Sequence, residues 1–157
     1  MKGIQRWNKV RQRLSSITAE ELDISFISCP VHVKTTYSKI KGSFFKVTLN
    51  REIIWIFPKD TEQDKKYLRG FFNGVWSVWE YPISSIIKYL DLPKEELLHY
   101  EDKAGIADIL KACDKRIGYD RLNTLELSPA AKKVFEERFK NKNNSENIVL
   151  NNNNLNL

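Results

Sequence analysis

The sequence predicts a single α+β domain over residues 1–140, built from an N-terminal helix, a four-stranded, mostly antiparallel sheet, and a C-terminal set of helices packed on the sheet. Two patterns lead to this fold class. Apolar residues recur at the helical period near the N-terminus and beyond residue 82, and they alternate with polar residues between positions 22 and 57. A chain of 157 residues is also long enough for one core and too short for two ordinary domains.

The first predicted helix covers residues 3–15. Its apolar face is formed by Ile4, Trp7, Val10 and Leu14. The opposite face is basic, because the first thirteen positions hold five basic residues and no acidic one. Such a helix is suited to nucleic-acid phosphates, with Arg6, Lys9 and Arg13 as binding residues, or to an anionic membrane surface. The alternative is a terminal helix that covers the sheet and keeps its charged face in water.

Four strands are predicted between the first helix and residue 57. They cover residues 22–26, 31–38, 43–49 and 52–57. Pro30 is expected to mark either a break between the first two or an edge position, because proline cannot donate a hydrogen bond to a strand ladder. Residues 39–42 are predicted to form a hairpin loop, with Gly42 available for a positive φ.

The last two strands are predicted to pair through Asn50 and Arg51, because asparagine tolerates the left-handed conformation of a tight hairpin. The fourth strand is apolar on both faces. Ile53, Trp55 and Phe57 are assigned to one face, and Ile54 and Ile56 to the other. A strand of this kind is expected at the centre of a sheet, covered by helices on at least one side.

The most aromatic segment is 67–81, which contains six aromatic residues. If this segment is exposed, Phe72, Trp76 and Trp79 form a surface on which a partner protein or nucleic-acid bases would pack. If it is buried, the same rings fill the space between the sheet and the helices. Gly70 and Gly74 favour burial, because glycine suits close backbone packing.

The C-terminal helices are predicted from caps and prolines. Pro82 opens one helix, Pro93 starts a short one, and Ser128-Pro129 begins the last, in which Arg138 is assigned to the outer face. Between them a helix of about four turns is predicted, with Asp102 as its N-cap and Gly118 as a left-handed C-cap. Its outer face is assigned to Lys103, Asp108, Lys111, Asp114 and Lys115.

A cluster of charged residues surrounds Gly118. It comprises Asp114, Arg116, Asp120 and Arg121. One interpretation is a binding site for a carboxylate or phosphate formed by Asp114, Arg116 and Arg121, because arginine offers a planar fork of donors. The other is an ion-pair network that fixes the helix end, where a cation is favourable without a ligand.

The run D-K-R-I-G-Y-D-R-L, with Y-P-I-S-S-I-I-K-Y-L-D-L-P-K-E-E-L-L before it and S-P-A-A-K-K-V-F-E-E-R-F after it, resembles a family of small uncharacterised bacterial cytoplasmic proteins. In that family a β-rich half leads into a helix ending in D-x-R-(I/V)-G-x-x-R-L, and the last helix opens on a proline. The match is carried by Asp114, Arg116, Ile117, Gly118, Arg121 and Leu122. Tyr119 and Asp120 stand where the family has basic residues, which argues against an anion site. The resemblance implies an order of elements to about Phe139, and no activity.

The available chemistry favours binding over catalysis. His32 and His99 are the only histidines, and neither stands in a motif with a nucleophile. Cys29 and Cys113 form neither a disulfide framework nor a C-x-x-C motif, and fit buried free thiols. The chain has no glycine-rich phosphate loop and no metal-binding motif. We therefore predict no catalytic residue, no cofactor and no metal site.

The composition bounds the location and the partners. The net charge of +6 favours a protein partner with an acidic surface, or nucleic acid. No run of eighteen apolar residues is present, and the N-terminus lacks the apolar core of a signal peptide, so no membrane span and a cytoplasmic location are predicted. Residues 141–157 are dominated by asparagine and are predicted to be a disordered tail.

Three functional hypotheses follow. The first is a protein-binding module, for example the neutralising (immunity) partner of a toxin. The second is a nucleic-acid-binding protein that uses the basic N-terminal helix. The third is an enzyme that uses Arg116 and Arg121 as an anion clamp. The sequence does not determine the oligomeric state.

Overall fold

A computed structural model describes residues 7–34, 39–57, 80–102 and 104–142, without the side chains of 29–34, 39–44, 80 and 81. The elements follow the predicted order of a helix, a sheet and a helical set, which confirms the α+β class. The first helix and the strands are α1 (Trp7–Ile17), β1 (Ile24–Lys34), β2 (Lys39–Leu49) and β3 (Glu52–Phe57). The later helices are α2 (Glu80–Leu90), a 3₁₀ helix (Lys94–His99), α3 (Ala107–Cys113), α4 (Tyr119–Asn123) and α5 (Pro129–Arg138).

The described sheet has three antiparallel strands in the order β1-β2-β3, so the prediction of four strands is wrong. The first two predicted strands are one continuous strand, in which Pro30 lies opposite Ser43. Proline is tolerated there because β1 is an edge of the described sheet, where a missing N–H need not break the ladder. Residues 39–42, predicted as a loop, pair with β1 as part of β2.

The hairpin between β2 and β3 is confirmed. Asn50 and Arg51 have φ angles of 51° and 68°, as a two-residue turn with two left-handed residues requires. The predicted central position of β3 is wrong, because β3 is the other edge of the described sheet. An irregularity opposite Val47 and Thr48 also places Ile53 on the opposite face from Trp55. Trp55 is therefore buried, while Ile53 is 53% exposed.

The core lies between α1, one face of the sheet and the C-terminal helices. Val10 and Leu14 of α1 are fully buried, as the helical period predicts. Their neighbour Trp7 meets Phe45 of β2 edge to face, with 5.2 Å between ring centroids, and Phe45 meets Trp55 in the same manner. The sheet contributes Phe26, Phe45, Val47, Leu49 and Trp55 to this core.

The helix at the centre of the C-terminal half is shorter and more deeply buried than predicted. It ends at Cys113 after seven residues, and Lys111 and Asp114, assigned to the outer face, are buried. The N-cap residue is Ile106 and not Asp102, although the Asp102 carboxylate accepts hydrogen bonds from the N–H groups of Ile106 and Ala107 at the start of the helix. The left-handed glycine is Gly105, not Gly118, whose φ is −86°.

The last helix, α5, begins as predicted, with Pro129 in its first turn and the Ser128 hydroxyl accepting a hydrogen bond from the Ala131 N–H. Lys142, within the predicted disordered tail, has its Nζ 4.0 Å from the ring centroid of Tyr119. Residues 143–157 lie outside the described part of the chain. None of the described helices is long and apolar enough to cross a bilayer.

Candidate functional site

Two features of the structure surround the C-terminal end of α1. The first is the α1–α3 junction, which we define as residues 17–19 and 113–115 together with the side chains that bind them, Tyr89, Arg116 and Arg138. Here the Ala19 N–H donates to the Cys113 carbonyl at 2.8 Å, and the Lys115 N–H donates to the Ile17 carbonyl at 2.7 Å. These bonds form an isolated antiparallel bridge between Thr18 and Asp114. They explain why α3 stops at Cys113, because the backbone there pairs with another segment.

Asp114 is the polar centre of the junction, and its side chain is fully buried. Its carboxylate accepts the Tyr89 hydroxyl hydrogen bond at 2.6 Å and the Arg116 backbone N–H bond at 2.9 Å. The Arg116 guanidinium adds bonds from Nε at 3.0 Å and from Nη2 at 2.7 Å. A buried carboxylate needs this degree of pairing, because an uncompensated charge in the interior is costly.

The backbone of the junction is held from the other side by Arg138, predicted to face solvent. Its Nη1 donates to the carbonyl oxygens of Ala112, at 3.1 Å, and Asp114, at 3.0 Å. Burial lowers the pKa of Arg138, whereas the hydrogen bonds that Arg116 donates to Asp114 raise the pKa of Arg116. Both remain cations at neutral pH and serve as fixed donors in a structural network.

The junction also contains groups that would be reactive in another setting. Burial, followed by the nearby charge of Asp114, raises the pKa of the Cys113 thiol to about 12. The same two causes, in the same order, raise the pKa of the Tyr89 hydroxyl above its ordinary range. A thiol of this kind is not a nucleophile at neutral pH, since only the thiolate attacks.

The structure separates the predicted site residues. It brings Asp114 and Arg116 together, which supports the ion-pair interpretation for that pair. Arg13 donates to Asp91 at 2.6 Å, Lys9 is exposed on α1, and Arg121 is exposed on α4. The other four predicted residues, Arg6, Phe72, Trp76 and Trp79, lie outside the described part of the chain.

Sequence reasoning missed Tyr89 and Arg138 as members of the junction. Tyr89 falls beside the apolar stripe of α2, and a tyrosine at a buried position generally needs a partner for its hydroxyl, which is the only available signal. Arg138 stands among charged residues in the last turn of α5 and gives no signal of its own.

The second feature is the α1–β1 cleft, which sequence reasoning also missed. It is an open cavity of about 710 Å³, within the range of about 300–1,000 Å³ typical of binding pockets. One wall is α1, and the other is the first part of β1. The lining residues are Arg11, Gln12, Leu14, Ser15, Thr18, Ala19, Glu20, Leu22, Ile24, Ser25, Phe26 and Ile27.

The cleft follows the open edge of β1. Four consecutive β1 residues, 24–27, line it, although successive side chains of a strand point to opposite faces of the sheet. One cavity contacts all four, which places it along the edge of the strand. No strand pairs with this edge in the described part of the chain.

The hydrogen-bond pattern identifies which backbone groups face the cleft. The Asn50 N–H donates to the Asp23 carbonyl at 2.8 Å, one step before the pair Ile24 and Leu49. Bonded and non-bonded pairs alternate along an antiparallel ladder. The N–H and C=O groups of Ile24 and Phe26 therefore point away from β2 and into the cleft. Pro30 is an even number of residues from Ile24 and Phe26, so its nitrogen also points away from β2. Its missing N–H therefore leaves the ladder intact.

Charged side chains stand on the walls of the cleft. Arg11 is exposed and lies about 10 Å along α1 from Thr18, at the rise of about 1.5 Å per residue of an α-helix. Glu20 is exposed in the connection between α1 and β1. The cleft is therefore basic at the Arg11 end and acidic where the chain turns.

The described residues contain no group of three or more histidine, cysteine, aspartate or glutamate side chains placed to hold a metal ion. Comparisons with protein-family models, with curated proteins and with solved structures find no match to this chain. The candidate functional site therefore depends on the geometry of the α1–β1 cleft alone.

Proposed function

We propose that this protein is a protein-binding module that holds its partner in the α1–β1 cleft. The observation that carries this proposal is the edge of β1 at Ile24 and Phe26, whose outward N–H and C=O groups face a cavity of binding-site size and have no strand opposite them in the described part of the chain. Backbone groups at a strand edge bind another polypeptide strand by pairing with its own backbone. The polar groups of the α1–α3 junction, in contrast, are already occupied within the chain.

The partner we propose carries acidic residues at its contact with α1. Lys9 and Arg11 are exposed on this helix, so an acidic surface is complementary to it. A toxin neutralised in the bacterial cytoplasm is one partner of this kind. In that case binding would also suppress the activity of the partner.

Nucleic acid is the second candidate, favoured by the same two exposed cations. Arg13 contributes less to it, because its guanidinium is paired with Asp91. Two phosphate contacts give a dependence of log K on log salt with a slope of about −1.8 on a duplex. Binding through Lys9 and Arg11 alone would therefore be weak.

The test is affinity capture of partners by the full chain from native bacterial lysate, at low and moderate salt, with and without nuclease. We expect one protein in stoichiometric amount that survives nuclease and moderate salt. Nucleic acid that is bound at low salt, lost at moderate salt and accompanied by no stoichiometric protein would overturn the proposal. Reconstitution of the complex from the two purified proteins then excludes a third bridging component.

A further inference from the structure

We infer that the α1–β1 cleft takes an extended segment of about four residues from the partner protein, which pairs with β1 as an additional strand and places an acidic residue beside Arg11. This inference rests on the proposed function and specifies how the partner is bound. Four lining residues in a row, 24–27, supply the template. At about 3.3 Å per residue, a segment of that length covers the roughly 10 Å of α1 between Thr18 and Arg11.

The backbone geometry of β1 suits pairing with an added strand. Ile24 and Phe26 each present an N–H and a C=O to the cleft, and these groups are two residues apart on one side of the strand. An incoming strand makes hydrogen bonds through every second residue, so its spacing matches this pair. Phe26 itself is only 6% exposed, so a partner that reaches its backbone enters the cleft rather than resting on the rim.

The side chains around this edge suit an apolar residue in the bound segment. Ile24 and Phe26 point to the core side of the sheet, where Leu14 of α1 and Leu22 lie, and all four line the cleft. A strand added at this edge directs every second side chain into the space between α1 and the sheet. That space is lined by apolar groups, so an apolar residue fits there and the alternate residues remain at the outer surface.

The positive charges on α1 suit an acidic residue in the bound segment. Arg11 is exposed and lines the cleft, while Lys9 is exposed on the same helix and does not line it. A carboxylate on the bound segment therefore gains more from Arg11 than from Lys9. A nucleic acid would contact both cations alike, because the attraction between phosphates and exposed basic side chains does not depend on their lining the cleft.

The first experiment selects binders to the full chain from a phage library of random eight-residue peptides. We expect selected peptides to alternate apolar and polar residues and to contain aspartate or glutamate at one fixed position. The best peptide is then synthesised with single N-methyl groups at successive residues. Methylation at alternate positions within the paired segment should weaken binding about ten-fold, and at the intervening positions less than about three-fold. A selection without binders, or methylation effects that do not alternate, would overturn the inference.

The second experiment changes the β1 edge. Ile24→Pro removes the N–H that points into the cleft and leaves the β2 ladder intact, because that N–H does not take part in it. Ile24→Ala is the matched control, since it removes the side chain and keeps the N–H. We expect the peptide to lose about ten-fold in affinity for the proline variant and about two-fold for the alanine variant. Equal affinity of the two variants contradicts strand pairing.

The third experiment separates the two cations of α1. Arg11→Glu should weaken binding of the acidic peptide about ten-fold, and Lys9→Glu should change it less than about two-fold. A peptide with lysine in place of its acidic residue should recover affinity for Arg11→Glu. Equal losses in the two variants would indicate a diffuse charge effect, of the kind that nucleic acid produces, and would contradict a seated carboxylate.

The captured protein partner distinguishes failure of this inference from failure of the proposed function. If the partner binds Ile24→Pro and Ile24→Ala equally well, the protein-binding role stands and the strand-pairing inference is wrong. If no protein partner is captured and nucleic acid is bound instead, the proposed function itself is wrong.

Discussion

The α1–α3 junction and the α1–β1 cleft both include the end of α1, but they differ in whether their polar groups have partners within the described part of the chain. In the junction, the buried Asp114 carboxylate has donors from Tyr89 and Arg116, and Arg138 binds the carbonyls beside it. In the cleft, the outward backbone groups of Ile24 and Phe26 have no strand opposite them in the described part of the chain. The paired polar groups of the junction fix the position of α1, whereas the outward groups of β1 are those that we propose bind the partner.

Thr18 connects the two features, because it bridges to Asp114 and also lines the cleft. The junction therefore sets where one wall of the cleft stands. From this division we expect junction substitutions to lower the free energy of unfolding and cleft substitutions to lower partner affinity. The following predictions test that division, beginning with the largest effect.

Asp114→Ala should lower the free energy of unfolding by about 3–5 kcal/mol, because it leaves the Tyr89 hydroxyl, the Arg116 backbone N–H and the half-buried Arg116 guanidinium without their common partner. Urea denaturation followed by circular dichroism measures the change. Asp120→Ala is the control, since Asp120 is exposed on α4 and its loss should cost no more than about 0.5 kcal/mol. Similar costs for the two variants would show that the junction is not a stabilising centre.

Tyr89→Phe should lower the free energy of unfolding by about 1.5–3 kcal/mol, the usual contribution of a hydrogen bond to a charged group. The phenyl ring keeps the packing of this fully buried side chain, so the loss reports the hydroxyl bond to Asp114. In the Asp114→Ala background the same substitution should cost much less, because the two residues interact directly. Additive costs in this double-mutant cycle would contradict the 2.6 Å bond.

The stability should fall at alkaline pH. The pKa of Cys113 is raised from 9.0 to about 12 in the folded state, so the unfolded chain releases its proton first as the pH rises above 9. Stability from this group is complete below pH 9 and is lost between pH 9 and 12, with on the order of 1 kcal/mol gone by pH 10. In Cys113→Ala, the urea midpoints at pH 8 and pH 10 should differ less than they do in the unsubstituted protein. The smaller fall of the midpoint that remains at pH 10 is caused by Tyr89. A pH dependence unchanged by the substitution would contradict the assignment.

Arg11→Glu and Ile53→Thr should each change the free energy of unfolding by less than about 0.5 kcal/mol, because both side chains are exposed. Only the first should weaken the partner, since Arg11 lines the cleft and Ile53 lies at the other edge of the sheet. Calorimetric titration of each variant with the captured partner separates the two results. A loss of affinity in Ile53→Thr alone would move the binding surface to the β3 edge.

The features that sequence predicted well are those with local causes. The Asn50-Arg51 hairpin and the Ser128-Pro129 helix start depend on a few adjacent residues. Pro30 was predicted to mark either a break or an edge position, and it lies within β1, an edge strand of the described sheet. The choice between the two depends on the whole sheet and not on the neighbouring residues. The irregularity in β3 likewise moved Ile53 to the other face without a recognisable signal.

The candidate site was less predictable, because its contacts are distant in sequence. Asp114 was assigned to solvent since its partners Tyr89 and Arg138 lie 25 and 24 residues away. The association of Asp114 with Arg116 was foreseen because the two are close neighbours in the chain. The cleft depends on where α1 packs relative to the edge of β1, and no short motif encodes that relation.

The central claim is that the outward backbone groups of β1 are open in the free protein and paired in the complex. Amide hydrogen exchange by NMR, residue by residue along β1, tests it most directly. We predict fast exchange at Ile24 and Phe26 and slow exchange at Ser25 and Ile27 in the free protein, with Ile24 and Phe26 protected when the selected peptide binds. Uniform protection of all four amides in the free protein, or no added protection on binding, would contradict it.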